Sequence, residues 1–337
     1  MVGEQNIISI IRSVFEREEV VLSTNFDADA ERVRLGDDTY LFTTDEYSSE
    51  DLFRTNDPVL LGWNVATGSI SDILAAGGVP LVYAHAMIVD PSWSDEYIRK
   101  FSRGVAKVLK TANVTFAGGD IGRAKTWHYT ASVLGKAEAP RLGRRGARAG
   151  DSVFLSGRIG SGNLEAGLSM FAQHDAIGRL ARTVRNKFHL RLDESALIRR
   201  YATACMDTSD GTYNALSTIC ELNGTGFAVS NLPYLRKGIL FAQILGMPKT
   251  LLFLGECGEY ELLFTIRPAD EKGLVKEARS NGFTFYRIGR LTEDPETKTI
   301  LEDGTHFKLR PVQTRARDYE NLEDYLAVLV DSLERLP

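Results

Sequence analysis

The chain has 337 residues, about twice the length of a typical domain, so two domains are expected. Hydrophobic residues make up 43% and charged residues 25%, a balance that excludes a disordered chain, a coiled coil and a collagen-like fibre. Lysine and arginine number 40 against 45 aspartates and glutamates, the formal net charge is -5, and no basic tract occurs. We therefore expect no nucleic-acid partner.

The cysteines and the apolar runs indicate the compartment. Cys205, Cys220 and Cys257 are scattered, with no CxxC spacing, which argues against a disulfide framework or a zinc site and suits a reducing cytosol. The N-terminus does not resemble a signal peptide, and no stretch reaches the roughly 18 apolar residues that a membrane span needs. We predict a soluble, cytoplasmic protein with no membrane partner.

The first part of the chain alternates predicted helices and strands, as a layered α/β or α+β unit does. Apolar residues at helical spacing predict an amphipathic helix over residues 7–15, and a Gly-Asp turn predicts a hairpin over residues 33–44. There follow a helix over 60–76, a strand over 81–89, a helix over 97–109, a short buried strand over 114–117 and a strand over 129–134.

The composition changes at residues 138–150, which are rich in Arg, Gly and Pro and carry no periodicity. We predict a domain over residues 1–139, a junction over 140–147 and a second domain over 148–337. The second unit is predicted to contain strands over 152–156, 227–229, 262–266 and 286–288, and helices starting near Asn163, over 213–222 and over 321–336. The predicted fold class is α+β (α/β layered) with two domains.

Aspartates beside glycines or at predicted element ends are the main chemical signal. Carboxylates that converge are costly unless cations neutralise them, and Mg²⁺ prefers carboxylate oxygens and substrate phosphates. The hypothesis is therefore a magnesium–nucleotide site, and the alternative is that each aspartate only caps a helix or forms a turn. The six candidates are Asp37, Asp38, Asp45, Asp72, Asp120 and Asp210.

Other nucleotide signals leave alternatives open. No GxxxxGK[ST] motif occurs, which excludes a P-loop protein. The loop GRIGSG at residues 157–162 suits either a phosphate cradle or a tight strand-to-helix turn. Arg144, Arg145 and Arg148 suit either phosphate binding or a solvated junction.

The order of motifs resembles a known enzyme family. GDD, TTD, SISDILAAGGVP, GGD, GRRGARAGDSVFLSG, MDTSDG and GEYELLFT follow one another over residues 36–304. This order and spacing resemble the thiamine-monophosphate kinases, members of the superfamily of aminoimidazole-ribotide synthetase, selenophosphate synthetase and the hydrogenase maturation factor HypE.

The resemblance implies an N-terminal domain whose four strands form a barrel with those of a second subunit, so a homodimer is expected. It also implies a C-terminal α+β domain, with ATP and Mg²⁺ bound in the cleft for transfer of a phosphoryl group to thiamine monophosphate. The metal ligands it implies are the six aspartates above. It assigns Ser209 and Asp210 to catalysis, Thr44, Gly118, Gly119, Asp120, Arg144 and Gly211 to ATP, and Glu46, Trp63, Glu259 and Tyr260 to the substrate.

This chain also departs from the family pattern on the acceptor side. EYSSEDLF replaces a His-containing run, Gly258 stands where the family has Glu, and the aromatic residue near the C-terminus is missing. These departures predict that thiamine monophosphate is a weak acceptor or none. The alternatives are an ATP-dependent kinase or ligase of the same superfamily with another acceptor, and a non-catalytic nucleotide-binding paralogue.

Overall fold

The structure is a computed structural model that contains two β-sheets with helices packed on them. It describes residues 7, 10–11, 13–15, 20–23, 27–49, 51, 57–171, 175–181, 184–312 and 315–336. Of the helix predicted at residues 7–15, residues 7, 10, 11, 13 and 14 are helical, and residues 8, 9 and 12 lie outside the described residues. In the described part of the chain, no helix is both long enough and apolar enough to cross a membrane.

The first sheet has five strands in the order β1-β2-β5-β3-β4. β3 and β4 pair in parallel and the other neighbours are antiparallel. β1 pairs only with residues 38–42 of β2, so residues 43–48 have no neighbour on that side among the described strands. The elements are β1 Glu31–Leu35, β2 Asp38–Ser48, α1 Pro58–Ala75, β3 Gly78–Val89, α2 Asp95–Ala112, β4 Thr115–Arg123 and β5 His128–Ala137.

Helices α1 and α2 cover one face of this sheet. α1 begins where the Asp57 side chain accepts hydrogen bonds from the backbone N–H groups of Val59 and Leu60. A Cβ atom at Gly62 would overlap the carbonyl oxygen of Phe101, so the two helices are in close backbone contact there. The core of this unit includes Leu41, Ile70, Ile73, Tyr83, Phe101 and Tyr129.

The second sheet has eight strands in the order β13-β12-β11-β8-β10-β6-β9-β7. Its central strands are buried on both faces because helices cover them. The elements are β6 Ser152–Leu155, α3 Ser161–Met170, α4 Asp175–Ala181, α5 Leu192–Tyr201, β7 Ala202–Asp207, α6 Thr212–Asn223, β8 Gly226–Ser230, α7 Arg236–Leu245, α8 Leu251–Leu254, β9 Leu262–Ile266, α9 Glu271–Ser280, β10 Tyr286–Thr292, β11 Lys298–Glu302, β12 Thr305–Leu309, α10 Leu322–Asp331 and β13 Leu333–Arg335.

The fold class is confirmed as α+β with two sheets, which lie on either side of the predicted junction at 140–147. The domain boundaries themselves stay a prediction. Two elements differ from expectation. The strand predicted at 114–117 continues through the Gly-Gly-Asp motif as the exposed edge strand β4, and the helix predicted over 321–336 ends at Asp331, after which β13 forms.

A buried ion pair connects the start of α5 to the end of the second sheet. Arg191 Nη2 and Nε donate to the two carboxylate oxygens of Glu261 at 2.6 and 2.7 Å, and the Glu261 side chain is only 3% exposed. Such a fork-shaped contact requires the planar guanidinium group. Arg200 pairs with Glu277 near the other end of α5, where its side chain is 53% exposed.

We predict that Arg191→Met lowers the free energy of unfolding by about 3–5 kcal/mol, because it leaves Glu261 charged, buried and without its partner. Arg200→Met is the matched control and should cost less than about 1 kcal/mol, since that pair is solvent-exposed. Urea denaturation of the three proteins measures both values. Equal losses for the two variants would contradict the importance assigned to the buried pair.

Candidate active site

Three carboxylates from distant parts of the chain converge between the two sheets. Oxygen atoms of Asp29, Asp72 and Asp207 all lie within 4.8 Å of one another. Asp29 precedes β1, Asp72 lies in the last turn of α1, and Asp207 is the last residue of β7. The acidic cluster, as we call these three residues, therefore joins the first unit to the second.

Hydrogen bonds hold two members of the acidic cluster in place. Thr43 Oγ1 donates to Asp72 Oδ2 at 2.5 Å, which connects β2 to α1. Ser71 Oγ donates to Asp207 Oδ2 at 2.7 Å, which connects α1 to β7. Each carboxylate thus has a fixed orientation, as a preformed cation site requires.

Ionisation of all carboxylates of the acidic cluster together is unfavourable without a cation. Burial, and after it the charge of Asp29, raises the pKa of Asp207 to about 6. Burial and then the charges of Asp45 and Asp207 raise the pKa of Asp72 well above its ordinary value. Asp72 also lies at the C-terminal end of α1, where the helix dipole opposes a negative charge.

Asp45 extends the negative charge of the acidic cluster along β2. Its pKa is raised to about 7, first by burial and then by the charge of Asp207, although the Tyr47 hydroxyl donates to Asp45 Oδ2 at 3.3 Å. Four carboxylates that resist ionisation together are typical of a site that a divalent cation neutralises.

The donor atoms fit a hard cation such as Mg²⁺. The ligand atoms are carboxylate oxygens, which Mg²⁺ prefers over nitrogen or sulfur. Asp29 Oδ2 is buried and forms no hydrogen bond within the described structure, so it is available as a ligand. Its other oxygen accepts a hydrogen bond from Arg144 Nη2 at 2.8 Å.

A polar cavity of about 930 Å³ opens beside the acidic cluster. Six of the predicted site residues line it, together with Asp51, Glu165, Glu256 and Arg315. Arg315 lies on the cavity wall, 3.5 Å from Asp210 and 3.8 Å from Glu256. The six predicted residues are Asp45, Glu46, Asp72, Ser209, Asp210 and Tyr260.

The loop after β7 shapes one wall of this cavity. Ser209 donates from its backbone N–H and its hydroxyl to Asp207 Oδ1, at 3.2 and 2.8 Å, so it orients a member of the acidic cluster. Gly211 has φ +85°, a conformation that favours glycine, and begins α6. A Cβ atom at Gly258 would overlap the carbonyl oxygen of Thr208, so the position is restricted to glycine unless the loop shifts.

Tyr260 forms part of the cavity wall in an uncommon backbone conformation. Its φ is +57°, which a bulky residue rarely adopts outside functional sites. Its ring packs against Phe188 at a centroid distance of 4.9 Å. The predicted substrate contact at Tyr260 is therefore at the cavity, whereas its role there stays a prediction.

The structure does not bring Asp37 and Asp38 to the acidic cluster. They lie in and just after the turn between β1 and β2, at the far end of β2 from Asp45, which is roughly 20 Å along an extended strand. Asp38 is 3.7 Å from Lys136 on the surface. Their position corresponds to the alternative interpretation, in which an aspartate only forms a turn. Asp29 is a candidate ligand instead.

The predicted ATP contacts on β2 and β4 lie on the other face of the first sheet. Thr44 Oγ1 is 3.0 Å from Ser132 Oγ on that exposed face. Asp120 pairs with Ala86 across β3 and β4, and it is separated from Glu46 by two strands, about 14 Å. Within one chain, Gly118, Gly119 and Asp120 are thus remote from the acidic cluster.

Three further predicted residues have structural partners. Arg144 pairs with Asp29 behind the acidic cluster and does not line the cavity. Trp63 Nε1 donates to the carbonyl oxygen of Phe188 at 2.8 Å. Glu259 Oε2 accepts hydrogen bonds from the N–H groups of Gly160 and Ser161 and so caps α3. The loop at 157–162 therefore forms a turn in which these two N–H groups already have a partner.

Sequence reasoning missed Asp29 and Asp207. Gly-Asp-Asp at 36–38 matches the family motif and predicts ligands at Asp37 and Asp38, whereas Asp29 lies in Phe-Asp-Ala-Asp-Ala at 26–30. In MDTSDG the predicted metal ligand is Asp210, the second aspartate. Asp207, however, directly follows the apolar run at 202–206 and so ends a buried strand. Position at a strand end was the signal that could have identified it.

Comparisons with known proteins relate the chain to one group of enzymes. Residues 27–137 match the family model described as AIR synthase related protein, N-terminal domain. The thiamine-monophosphate kinase of Aquifex aeolicus is 27% identical over 284 residues, which is 78% of this chain and 85% of that protein. That of Archaeoglobus fulgidus is 24% identical over 87% of this chain and 95% of its own length.

Solved structures share the whole architecture. AaThiL complexed with AMPPCP and TMP superimposes with a TM-score of 0.73 at 24% identity, covering 93% of this chain and 96% of that one. Escherichia coli HypE, a hydrogenase maturation protein, gives a TM-score of 0.67 at 17% identity, covering 92% and 98%. The chain thus contains an AIR synthase related N-terminal domain over residues 27–137, and over most of its length it is similar to the thiamine-monophosphate kinases.

Proposed function

We propose that the protein is an ATP- and Mg²⁺-dependent phosphotransferase that converts thiamine monophosphate and ATP to thiamine diphosphate and ADP. The observation that carries the proposal is the acidic cluster at the edge of a polar cavity of about 930 Å³. The names of the relatives and the AMPPCP and TMP of AaThiL support the choice of kinase chemistry.

Asp29, Asp45, Asp72 and Asp207 would hold the magnesium, which supplies positive charge to the phosphate oxygens of the nucleotide. The protein contributes the positions of these carboxylates, which Thr43, Ser71, Ser209 and Arg144 fix by hydrogen bonds. Arg315, which lines the same cavity, would place a positive charge near a second anionic group.

Phosphoryl transfer in such a site requires no side-chain base. A phosphate monoester is largely deprotonated at neutral pH, so its oxygen is already a nucleophile. A bond forms between that oxygen and the γ-phosphorus, the bond from the γ-phosphorus to the β–γ bridging oxygen breaks, and ADP leaves with the electron pair. Ser209 and Asp210 are placed to orient the reactants, and charge neutralisation provides the catalysis.

Gly258 favours a second candidate, transfer to a different phosphorylated acceptor by the same ATP chemistry. The family has Glu at this position, and here the backbone of Thr208 fills the space of a side chain. Acceptor recognition is therefore altered at this point of the cavity wall. A non-catalytic paralogue is disfavoured, because strained carboxylates without a binding role would only destabilise the fold.

We predict that the wild-type protein releases ADP in a Mg²⁺-dependent reaction that thiamine monophosphate accelerates. Asp207→Asn should lower kcat at least about 100-fold, the order seen when a preorganised charge-stabilising group is lost, without lowering the melting temperature in EDTA. Asp38→Asn is the control and should leave kcat unchanged.

A coupled ADP assay and diphosphate detection measure both variants. A steep, saturable response at micromolar thiamine monophosphate would refute the prediction that this compound is a weak acceptor. Absence of ADP release with thiamine monophosphate and with other phosphate monoesters would contradict the proposed function.

We also predict that the metal-free protein loses stability as the pH rises from 5 to 8. Asp207 and Asp45 have pKa values raised to about 6 and about 7, so they are protonated in the folded state at pH 5 and must ionise near one another at pH 8. The unfolded chain gives up these protons near pH 4, so the raised pKa values stabilise the fold only at lower pH.

Thermal melting in EDTA at pH 5 and pH 8 measures this loss. Mg²⁺ at a hundred times its Kd should restore about 2.7 kcal/mol at pH 8, and Asp45→Asn/Asp207→Asn should remove most of the pH dependence. An unchanged pH dependence in the double variant would show that other groups cause it.

We further propose a cytoplasmic homodimer that covers the edges of the first sheet. β4 is an edge strand on which Phe116 is 50% and Ile121 61% exposed, and open apolar edges are usually paired or covered. Thr44, Gly118, Gly119 and Asp120 would then lie at or near the interface, where a second copy brings further groups to the nucleotide.

We predict that Ile121→Asp converts a dimer to a monomer, because it places a charge in the apolar edge. Lys110→Asp, on an exposed turn of α2, changes charge without touching this edge and should remain dimeric. Sedimentation velocity at micromolar concentration distinguishes the two states. A wild-type monomer under these conditions would contradict the proposed assembly.

A further inference from the structure

A second cavity of about 70 Å³ lies between α3, α8 and the C-terminal helix α10. Its walls are almost entirely apolar and include adaptable methionine side chains. It is lined by Ala166, Met170, Phe241, Met247, Leu251 and Leu326, among others. We call it the apolar pocket.

The apolar pocket adjoins the polar cavity beside the acidic cluster. Glu256, Cys257, Ala316 and Leu322 line both spaces, so the two cavities share one wall. Ala316 N donates to Glu256 Oε1 at 3.0 Å, which fixes the segment before α10 at this boundary. The apolar pocket and the polar cavity are therefore neighbours across these four residues.

The size and polarity of the apolar pocket restrict which chemical groups it can hold. A water-sized group needs roughly 10–15 Å³ of such volume, so the pocket has room for about five to seven groups of that size, as in one small ring or a branched chain. Asn163 is a polar lining residue, and its amide is already used, since it donates to the carbonyl oxygens of Leu252 and Gly255 and accepts from the N–H of Cys257.

A purine base is therefore a poor occupant. Its ring nitrogens and amino group would lose their hydrogen bonds to water without finding partners among these side chains. An uncharged hydrocarbon ring or branched chain has no hydrogen bonds to water to lose, and its transfer from water into the pocket is favourable.

We propose that the apolar pocket receives an uncharged apolar group of the phosphate acceptor, whose phosphate lies in the polar cavity. The proposal rests on the second candidate function, transfer to a phosphorylated acceptor other than thiamine monophosphate, because the aminopyrimidine of thiamine would lose its hydrogen bonds to water in this pocket. It adds the chemical class of that acceptor: a phosphate monoester with a small, uncharged apolar ring or branched chain. α10 contributes Leu322, Tyr325 and Leu326 to the walls, so the C-terminal helix is a specificity element.

Protection of Cys257 measures occupancy without any turnover. Cys205 and Cys220 are buried, whereas Cys257 is partly exposed and lines both cavities. The rate of its alkylation by iodoacetamide is followed by mass spectrometry of the peptide, in the presence of methyl phosphate or phenyl phosphate. We expect phenyl phosphate to protect at a concentration at least about tenfold lower, because it fills the apolar pocket and methyl phosphate does not.

Two variants on one helix locate the effect. Leu326→Trp fills the apolar pocket and should abolish the advantage of phenyl phosphate, while Val328→Trp adds the same side chain to an exposed position of α10 and should retain it. Met170→Trp fills the pocket from α3 and replaces Leu326→Trp if that variant does not fold. ATP affinity, measured separately by calorimetry, should be the same in all of them if the occupant is not the adenine base.

Equal protection by the two phosphates, or equal behaviour of the filled and control variants, would overturn the proposal. A loss of ATP affinity in Leu326→Trp alone would also overturn it, since the pocket would then hold the base. If phenyl phosphate protects selectively but no phosphate monoester accelerates ADP release, the pocket assignment stands and the proposed function fails.

Discussion

The structure depends on bringing like charges together where the two units meet. Asp29, Asp72 and Asp207 have oxygen atoms within 4.8 Å of one another, largely shielded from water, and repulsion between them opposes folding. The surrounding fold provides what partly offsets this repulsion: hydroxyl donors from β2 and α1, and a guanidinium group from the junction. Under the proposed function, a divalent cation would neutralise the negative charge that these donors leave.

Hydrogen bonds and ion pairs around the acidic cluster also hold the two units together. Ser71 on α1 bonds to Asp207 on β7, and Arg144 of the junction pairs with Asp29 before β1. Arg32 Nη2 donates to the carbonyl oxygens of Ala76 and Leu142, at 3.1 and 3.0 Å, which holds the end of α1 against the junction. The catalytic geometry is therefore a property of the junction as much as of either sheet.

The elements of the fold were predictable because their patterns are local. Helix α1 has its capping aspartate and proline, and α2 has its amphipathic stripe. The exposed continuation of β4 through Gly118-Gly119 and the strand after α10 were not, because Gly-Gly gives no β pattern and pairing with β12 is a long-range contact. Asp45, Asp72 and Ser209, which the sequence predicts as metal-binding and catalytic residues, line one cavity, and their roles stay predictions. Asp29 cannot be distinguished from a turn residue by sequence pattern alone.

Gly258 shows how a contact between two loops shapes one wall of the polar cavity. The acidic cluster uses residues at element ends, whereas this wall depends on how the two loops touch. The Gly258 backbone packs directly against Thr208, and its N–H donates to the carbonyl oxygen of Ser209 at 3.1 Å. A charged side chain cannot occupy that contact, while two residues earlier Glu256 borders both cavities. Under the proposed function, the acceptor would meet a tight loop beside the apolar pocket at this point, which favours recognition by shape over recognition by charge.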